Sequence, residues 1–289
     1  MNPGILVRRS LPFLCILGLA LGLTGGALAC IPGGEREQLH YRVAYQGVLS
    51  LGERLEIARV TLTLEPWQGA KDAPLLRSSL TASTEGFPRV EAIYPFRFAY
   101  RSWFAPDCAA TRMVELKRRS PEETHQLLWF DSDPGVVQRF KQKKGKKTAA
   151  LPPLLRSAAA VGEQPFSPAG ETRFPPGQGI LDRLAMLYRL RGLELHPGKS
   201  LQFAVSDGKK LRGYRVTPET KEAAKGDPLI AGSLRLRLEP QGGEEGEEEP
   251  ATYVWLSDDS ARIPLRFLSR RSYGDFELRL APAATLARP

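Results

Sequence analysis

The chain has 289 residues, of which 42% are hydrophobic and 25% charged, and its formal net charge is +9. This composition excludes collagen-like, coiled-coil and wholly disordered proteins. The 27 glycines and 24 prolines favour a fold with many turns over an all-helical one.

The N-terminal residues 1–29 have the three parts of a secretory signal peptide. Two arginines are the only charged residues before Cys30, an apolar segment covers 11–23, and small residues at Ala27 and Ala29 mark a cleavage site. The apolar segment is shorter than the ~20 residues of a membrane-spanning helix. We therefore expect export, with cleavage lowering the net charge from +9 to +7 because two arginines and no acid are lost. The expected location is the periplasm or the periplasmic side of the outer membrane.

The mature chain keeps two cysteines, Cys30 and Cys108. A lipoprotein peptidase cuts before a Cys that becomes lipidated, and Ala29 suits it, although Ala27 stands where such signals usually have Leu. A general signal peptidase accepts the same site and leaves Cys30 free to pair with Cys108 in an oxidising compartment. Lipidation of Cys30 and a Cys30–Cys108 disulfide are the two alternatives.

Alternation of apolar and polar residues dominates the mature chain. It is clearest over 41–46, 60–65 and 234–239, and this period of two is typical of strands with one face buried. Asp207-Gly208 separates two further segments of this kind and indicates a hairpin. The pattern predicts a mainly β fold, namely a strongly curved antiparallel sheet or an incomplete barrel.

One segment has helical spacing instead. Ile180, Leu184 and Leu187 recur on one side, Asp182 suits a helix N-terminus, and Gly192 suits its end. We predict one amphipathic helix over about 179–191, packed on the sheet through its apolar stripe.

Two low-complexity segments interrupt the pattern. Residues 141–176 begin with five lysines in seven positions, and 241–250 contain five glutamates. We predict flexible inserts at both places, within a single β-rich domain over 30–280 that is followed by a disordered tail at 281–289. A solvated loop explains the lysines better than a nucleic-acid contact in an exported protein, so no nucleic-acid partner is expected.

An internal similarity links the two halves. Trp103 to Ser120 aligns without gaps on Trp255 to Ser272, with seven identical positions in 18. Both segments predict a strand, a polar turn and a second strand. Either the two halves contain matching hairpins, or similar strand–turn–strand units have acquired similar residues.

No motif for catalysis or metal binding stands out. His40, His125 and His196 lack neighbouring ligands at metal-binding spacing, and the chain has no nucleophile elbow. We predict no catalytic residue, no metal and no cofactor.

The second half nevertheless resembles a known family. Its most specific feature is the segment that contains Trp255, Asp258, Asp259, Arg262 and Pro264. With the preceding helix and hairpin, this order is similar to the bacterial domain-of-unknown-function 3108 family of exported proteins. The likeness extends over about 40–280 and is most specific over 178–279. It implies an envelope location and a β-rich fold, and it implies no reaction. A looser likeness, in architecture only, is to the half-barrels of periplasmic lipoprotein carriers.

These observations lead to three hypotheses. The first is a non-enzymatic envelope protein that holds a lipid or another apolar ligand in a concave sheet. The second is an interaction or assembly module that meets an anionic envelope surface through cationic rows on its outer face. The rows consist of Arg97 and Arg101, Arg235 and Arg237, and Arg266 and Arg270. The third and least favoured is a hydrolase of envelope glycan or lipid. The sequence does not determine an oligomeric state.

Overall fold

The computed structural model describes residues 30, 36–69, 74–120, 122–142, 149–161, 165–221, 227–242 and 249–282. The predicted signal peptide lies outside these residues. So do 143–148, 243–248 and 283–289, which belong to the predicted inserts and tail.

The described chain forms fourteen strands and three α-helices. The strands are β1 (Glu37–Gly47), β2 (Arg54–Trp67), β3 (Leu75–Ser83), β4 (Arg97–Phe104), β5 (Thr111–Ser120), β6 (Glu122–Asp131), β7 (Val136–Gln142), β8 (Phe166–Arg173), β9 (Leu201–Ser206), β10 (Leu211–Lys221), β11 (Leu234–Gln241), β12 (Thr252–Leu256), β13 (Pro264–Arg271) and β14 (Gly274–Leu280). The helices are α1 (Pro88–Ile93), α2 (Pro153–Ala159) and α3 (Arg183–Gly192). Within the described ranges, no helix has the length and apolar character needed to cross a bilayer.

All fourteen strands belong to one antiparallel sheet, which confirms the predicted β class. Its order is β8-β7-β6-β5-β4-β3-β2-β1-β14-β13-β12-β11-β10-β9, so β1 to β8 and β9 to β14 are two meanders. The two meanders join where β1 pairs with β14, in a register that runs from Tyr41↔Leu280 to Gly47↔Gly274. The predicted Asp207-Gly208 hairpin is present as β9 and β10.

The sheet curves until it is nearly closed. Tyr41 of β1, Leu62 of β2, Val216 of β10 and Val254 of β12 all belong to one buried cluster with α3. Side chains so far apart along the sheet contact the same helix because the sheet wraps around it. The concave face is therefore a barrel interior, and α3 lies inside it.

The two sheet edges, β8 and β9, do not pair with each other. The segment before α3 lies in this gap: Leu181 forms a parallel bridge with Val205 of β9, and the Ile180 carbonyl accepts the Thr111 amide of β5 at 2.9 Å. The turn after β9 completes the contact. A Cβ on Gly208 would come within 2.4 Å of the Leu128 side chain on β6. The segment before α3 and the turn after β9 therefore close the barrel in place of direct pairing between β8 and β9.

The prediction of a flexible insert over 141–176 is wrong for most of the residues that the structure describes there, because they belong to strands and a helix. Lys141 and Gln142 end β7, α2 follows, and Phe166 begins the edge strand β8. Helix α2 covers the outer face of the sheet because Leu155 and Ala159 are buried against it. The second core formed there also contains Trp103, Met113, Leu127, Phe140 and Leu151. In the sequence, Leu155 and Ala159 stand among prolines and alanines, so the apolar side of α2 is not evident.

The predicted helix is present but later and more deeply buried than expected. Ile180 and Leu181 are extended, Asp182 is the N-cap, and the helix ends at Gly192. Seven of its residues are buried, from Leu184 to Arg191, so α3 is enclosed rather than packed through one stripe. The two shorter helices were not predicted.

Candidate ligand-binding cavities

The C-terminal part of α3 closes one end of the barrel. Only 1% of the Arg191 side chain is exposed, and its guanidinium donates to the Glu37 carboxylate over 2.7 and 2.6 Å. The same guanidinium donates to the Ala261 carbonyl at 3.2 and 3.0 Å. Arg189 donates to the Asp107 carbonyl at 2.7 Å. Because α3 fills this end and both arginines are hydrogen-bonded there, we call it the closed end.

The N-terminus of α3 points into the barrel. The Asp182 side chain is fully buried and accepts a hydrogen bond from the Ala185 amide at 2.7 Å, which caps the helix. The Tyr100 hydroxyl donates to its other oxygen at 3.3 Å. Burial raises the pKa of Asp182 to about 6, although these hydrogen bonds act in the opposite direction. The N-cap is therefore an acid that titrates in a weakly acidic solution.

The opposite end of the barrel is bounded by strand turns, and we call it the open end. The turns after β1, β3, β9, β11 and β13 meet there because the strands alternate in direction. Several large apolar side chains are exposed on these turns. They are Val48, Leu49, Leu51, Ile93, Tyr94 and Tyr273, with 52 to 94% of each residue accessible.

An apolar cavity of about 310 Å³ lies between α3 and the concave face of the sheet. Leu62, Val254 and Leu278 form part of its wall, and Leu184 of α3 forms its floor. Its charged residues are Arg271 and Glu249 at the open end, where Glu249 forms an ion pair with Arg212 at 2.6 Å, and Arg183 beside Leu184. The cavity therefore offers mainly apolar contacts between two places where charged groups line it.

A second and larger cavity of about 610 Å³ adjoins it, and we call it the cationic cavity. Leu80, Arg183 and Leu184 line both cavities, so the two spaces meet over the N-terminus of α3. Four cationic residues line the second cavity, namely Arg118 on β5, Lys141 on β7, Arg183 on α3 and Lys209 in the turn after β9.

These four cationic side chains face one carboxylate. Asp207 lines the same cavity, and its Oδ1 accepts the amides of Lys209 and Lys210 at 2.8 and 3.0 Å. Although burial acts in the other direction, these backbone hydrogen bonds lower the pKa of Asp207. Within the described part of the chain, none of the four cationic side chains forms an ion pair. The cavity thus carries a local surplus of positive charge.

The predicted site residues lie at the closed end, away from both cavities. Asp259 accepts the amides of Ala261 and Arg262 at 3.0 Å each and shapes the turn between β12 and β13. Arg262 donates to the Leu193 carbonyl just after α3, and the buried Pro264 accepts a hydrogen bond from Tyr41 at 2.8 Å. Their arrangement attaches the turn to the helix and is structural.

The remaining members of this motif, the exposed Asp258 and the buried Trp255, are on the outer side of the sheet. Asp258 forms an ion pair with Lys221. Trp255 lies on the outer face, with the Arg266 guanidinium 4.6 Å above its ring. The structure does not bring Trp255 or Asp258 near a cavity.

The two cysteines form a disulfide at the closed end, with 5.7 Å between the Cα atoms of Cys30 and Cys108. Both residues are buried, and a Cβ on Gly192 would come within 2.2 Å of the Cys30 carbonyl. The disulfide therefore fixes Cys30 beside the end of α3. It is one of the two alternatives left open by the sequence.

The predicted cationic rows are on the outer face, and each arginine there has an acidic neighbour. The nitrogen–oxygen distances range up to 3.8 Å. The partners are Glu91 for Arg97, Glu115 for Arg101, Glu219 for Arg235, Glu239 for Arg237, Glu277 for Arg266 and Asp275 for Arg270. These pairs reduce the positive charge that the rows offer to an anionic surface.

Among the described residues, no group of His, Cys, Asp and Glu is arranged to hold a metal ion. Glu115 is 1% exposed on the outer face and contacts Arg101, Lys117 and His125 over 2.6 to 2.9 Å. Although burial opposes it, hydrogen bonds from His125, Lys117 and Arg101 lower the pKa of Glu115 to about 2. This cluster is packed against Phe166 and reaches neither cavity.

Residues 156–281 match the family model described as "Protein of unknown function (DUF3108)". This part of the chain resembles the DUF3108 family, as the sequence predicted. The DUF3108 region runs from within α2 to the end of β14, so it contains α3 and the turn with Asp259 that holds it. No curated protein matches the chain.

A solved structure, described as a β-barrel-like protein of domain of unknown function DUF1849 from Brucella abortus, is similar to this chain with a TM-score of 0.48. The two share 9% sequence identity, and the alignment covers 86% of this chain and 96% of that one.

Sequence reasoning did not identify the cavity residues. Arg118 and Lys141 alternate with their neighbours like any residues on a strand face, and the alternation does not say which face becomes concave. A signal was present in the pairing of charges. On the outer face, Arg101 is opposite Glu115 and Arg270 is opposite Asp275. In contrast, Arg118 is opposite Phe98 and Thr124, and Lys141 is opposite Gln126.

Proposed function

We propose that this protein is a non-enzymatic component of the bacterial cell envelope that binds an acyl chain inside its curved sheet. The observation that carries the proposal is the apolar cavity between α3 and the concave face. Its volume of about 310 Å³ is within the ~300–1,000 Å³ of small-molecule pockets.

The lining of the apolar cavity suits a hydrocarbon chain. Leu62, Val254, Phe267 and Leu278 present carbon atoms, and the backbone polar groups behind them are engaged in the sheet. The Tyr41 hydroxyl is bonded to the Pro264 carbonyl, so Tyr41 offers the cavity its ring. Each methylene group buried there would contribute ~0.8 kcal/mol. A polar ligand would find few partners at this depth.

The open end provides a route for such a chain. Both cavities extend to residues at the turns of this end, such as Pro250 and Lys209. The closed end is sealed by α3, so a linear chain would enter from the open end and lie between α3 and the concave face. The exposed apolar side chains on the rim would lower the cost of transferring a chain from another apolar environment.

Two features support an envelope location. The N-terminal residues have the pattern of an export signal. A Cys30–Cys108 disulfide is stable in an oxidising compartment such as the periplasm. The outer-membrane lipoprotein alternative requires a lipidated Cys30, which cannot also pair with Cys108.

The hydrolase alternative has less support. A hydrolytic site would need a nucleophile, a base and a polar cleft that converge. The pair His125 and Glu115 is buried, faces outward and is engaged in ion pairs. Asp182 is fully buried, lines neither cavity and is occupied as the helix cap.

The proposal is tested by titrating the mature protein with dodecyl maltoside, an uncharged amphiphile, below its micelle concentration in a calorimeter. We expect saturable binding with a negative heat-capacity change, which is the mark of apolar burial. Leu80→Trp places a larger side chain where the two cavities meet and should abolish the binding. Leu211→Trp is the matched control, because Leu211 is exposed and lines neither cavity.

Three results are informative. Binding that is lost in Leu80→Trp and kept in Leu211→Trp supports the proposal. Absence of saturable binding to the parent protein contradicts it. Equal binding by both variants also contradicts it, because the ligand would then lie outside the cavities. Thermal unfolding of each variant establishes that it is folded.

A further inference from the structure

We infer that the ligand is an anionic amphiphile, whose phosphate or carboxylate head group occupies the cationic cavity while its chain occupies the apolar cavity. This inference rests on the proposed function and names the ligand class. It is argued from the charges and contacts of the cationic cavity, which the apolar cavity alone does not explain.

The first argument is the unequal distribution of charge pairs. The outer arginines predicted as cationic rows each have a carboxylate within 3.8 Å. In contrast, Arg118, Lys141, Arg183 and Lys209 line one cavity and, among the described residues, form no ion pair. Four like charges around a space of about 610 Å³ repel one another, and an anion placed between them would relieve that repulsion.

The second argument is that the one acid in the cavity is already engaged. Asp207 accepts the amides of Lys209 and Lys210, and these bonds orient its carboxylate towards its own turn. Its single negative charge leaves three of the four cations without compensation. A phosphate or carboxylate head group supplies the missing charge and has oxygens that accept hydrogen bonds from Arg and Lys.

The third argument is the position of neutral donors and of apolar groups. Thr124 and Gln126 lie on the same stretch of wall as the cations, since Thr124 pairs with Arg118 and Gln126 with Lys141. The hydroxyl and amide can donate to the same head group. Phe98 and Tyr100 form another wall, with ring centroids 6.3 Å apart. A head group that carries methylene units therefore fits this cavity better than a bare ion.

The fourth argument is the junction between the two cavities. Leu80, Arg183 and Leu184 line both of them, so a head group near Arg183 leaves its chain next to the apolar cavity. An uncharged amphiphile would gain only the apolar contacts. A free anion would gain only the ionic ones.

The experiment compares three probes that separate these contributions: dodecyl phosphate, dodecyl maltoside with the same chain, and inorganic phosphate. In calorimetric titrations at low salt, dodecyl phosphate should bind at least about tenfold more tightly than dodecyl maltoside, as expected for hydrogen bonds to charged groups. This advantage should shrink as salt is added, because the cations lie in an open cavity.

The double variant Arg118→Gln, Lys141→Gln removes two of the four charges. It should weaken the binding of dodecyl phosphate about tenfold and change the affinity for dodecyl maltoside by less than about twofold. The matched control is Arg215→Gln, Lys199→Gln, which removes one exposed arginine and one exposed lysine that line neither cavity. The control should bind all three probes as the parent does. All four positions are wholly or partly exposed, and thermal unfolding should show that both variants are folded.

The outcomes are distinct. If dodecyl maltoside binds and dodecyl phosphate binds no tighter, the anionic class is wrong while the acyl-chain proposal stands. If neither amphiphile binds, the proposed function fails and this inference fails with it. If inorganic phosphate binds as tightly as dodecyl phosphate, the site binds a free anion and the assignment of an amphiphilic ligand is wrong. If the control double variant loses as much affinity as the cavity variant, the effect is one of net charge and the assigned site is wrong.

Discussion

The closed end and the open end of this barrel are built from the same sheet but differ in what their polar and apolar groups contact. At the closed end, Arg191 and Glu37 form a buried ion pair and a disulfide joins Cys30 to Cys108. At the open end, Arg118 lines a cavity and Leu51 is 94% exposed. One end has its groups satisfied within the chain, and the other presents groups that an external molecule can satisfy.

This difference indicates how a sheet of this size can enclose a space for a ligand. A barrel interior filled by side chains from all strands would be a core without space. Here α3 fills the closed end only, so the remaining interior stays accessible from the other end. Stability and binding are thereby assigned to different residues, and substitutions at the two ends should have separable effects.

The largest expected effect is at the ion pair of the closed end. Arg191→Met would leave Glu37 without its partner and the Ala261 carbonyl without a donor, and breaking a buried pair costs about 3–5 kcal/mol. Urea denaturation followed by circular dichroism measures this loss. The control is Arg173→Met, whose partner Glu171 is exposed, and it should change stability by less than about 0.5 kcal/mol. Equal losses in the two variants would show that the closed end is not held as described.

The next effect concerns the disulfide. Cys108→Ser removes a link between residues 78 apart and should lower the free energy of unfolding by about 2–4 kcal/mol. Intact-mass spectrometry of the exported protein checks the premise, since a disulfide lowers the mass by two hydrogens. A mass that includes attached acyl chains would instead establish the lipoprotein alternative.

The third prediction concerns Asp182, the N-cap of α3. The pKa of Asp182 is about 6 in the folded chain and 3.8 for an unperturbed Asp, so between these values the folded state binds more protons than the unfolded state. Stability should therefore fall as pH rises from about 4 to 6, by about 3 kcal/mol from this group. Asp182→Asn keeps a capping oxygen and should abolish this fall. Asp207→Asn, at a position where the pKa is lowered, should not abolish it.

The smallest effect is expected at the rim of the open end. Leu49→Ser and Ile93→Ser replace side chains that are 87% exposed, and each should change stability by less than about 0.5 kcal/mol. Thermal unfolding measures the change. A loss of several kcal/mol would mean that the rim is part of the core, and the contrast between the two ends would then be wrong.

Much of the fold could be predicted because its signals are local. The alternation of Leu234, Leu236 and Leu238 predicts a strand, and Gly192 marks the end of α3, although the predicted start at about 179 lies before the N-cap Asp182. Helix α2 was missed because it has only two buried side chains, Leu155 and Ala159, among prolines and alanines.

The site was less predictable because it depends on the curvature of the sheet. Trp255 and Asp259 are conspicuous in sequence, yet they belong to a turn that secures α3. The internal similarity has a related explanation. Asp107 and Asp259 each cap a turn at the closed end, and the two turns accept hydrogen bonds from Arg189 and Arg191. Two similar hairpins therefore hold one helix.

The pairing of β1 with β14 has a consequence for the order of assembly. Tyr41 and Leu280 are partners across nearly the whole length of the described chain, whereas the other strand pairs join neighbours in sequence. Contacts of such long range form slowly, because the entropy of closing a large loop is lost before the contacts contribute any stabilisation. During synthesis the first meander can be complete while β1 still has one unpaired edge, and the last strand to emerge fills the middle of the sheet. A growing chain would thus hold an open strand edge, with its risk of pairing with other chains, until its final strand arrives.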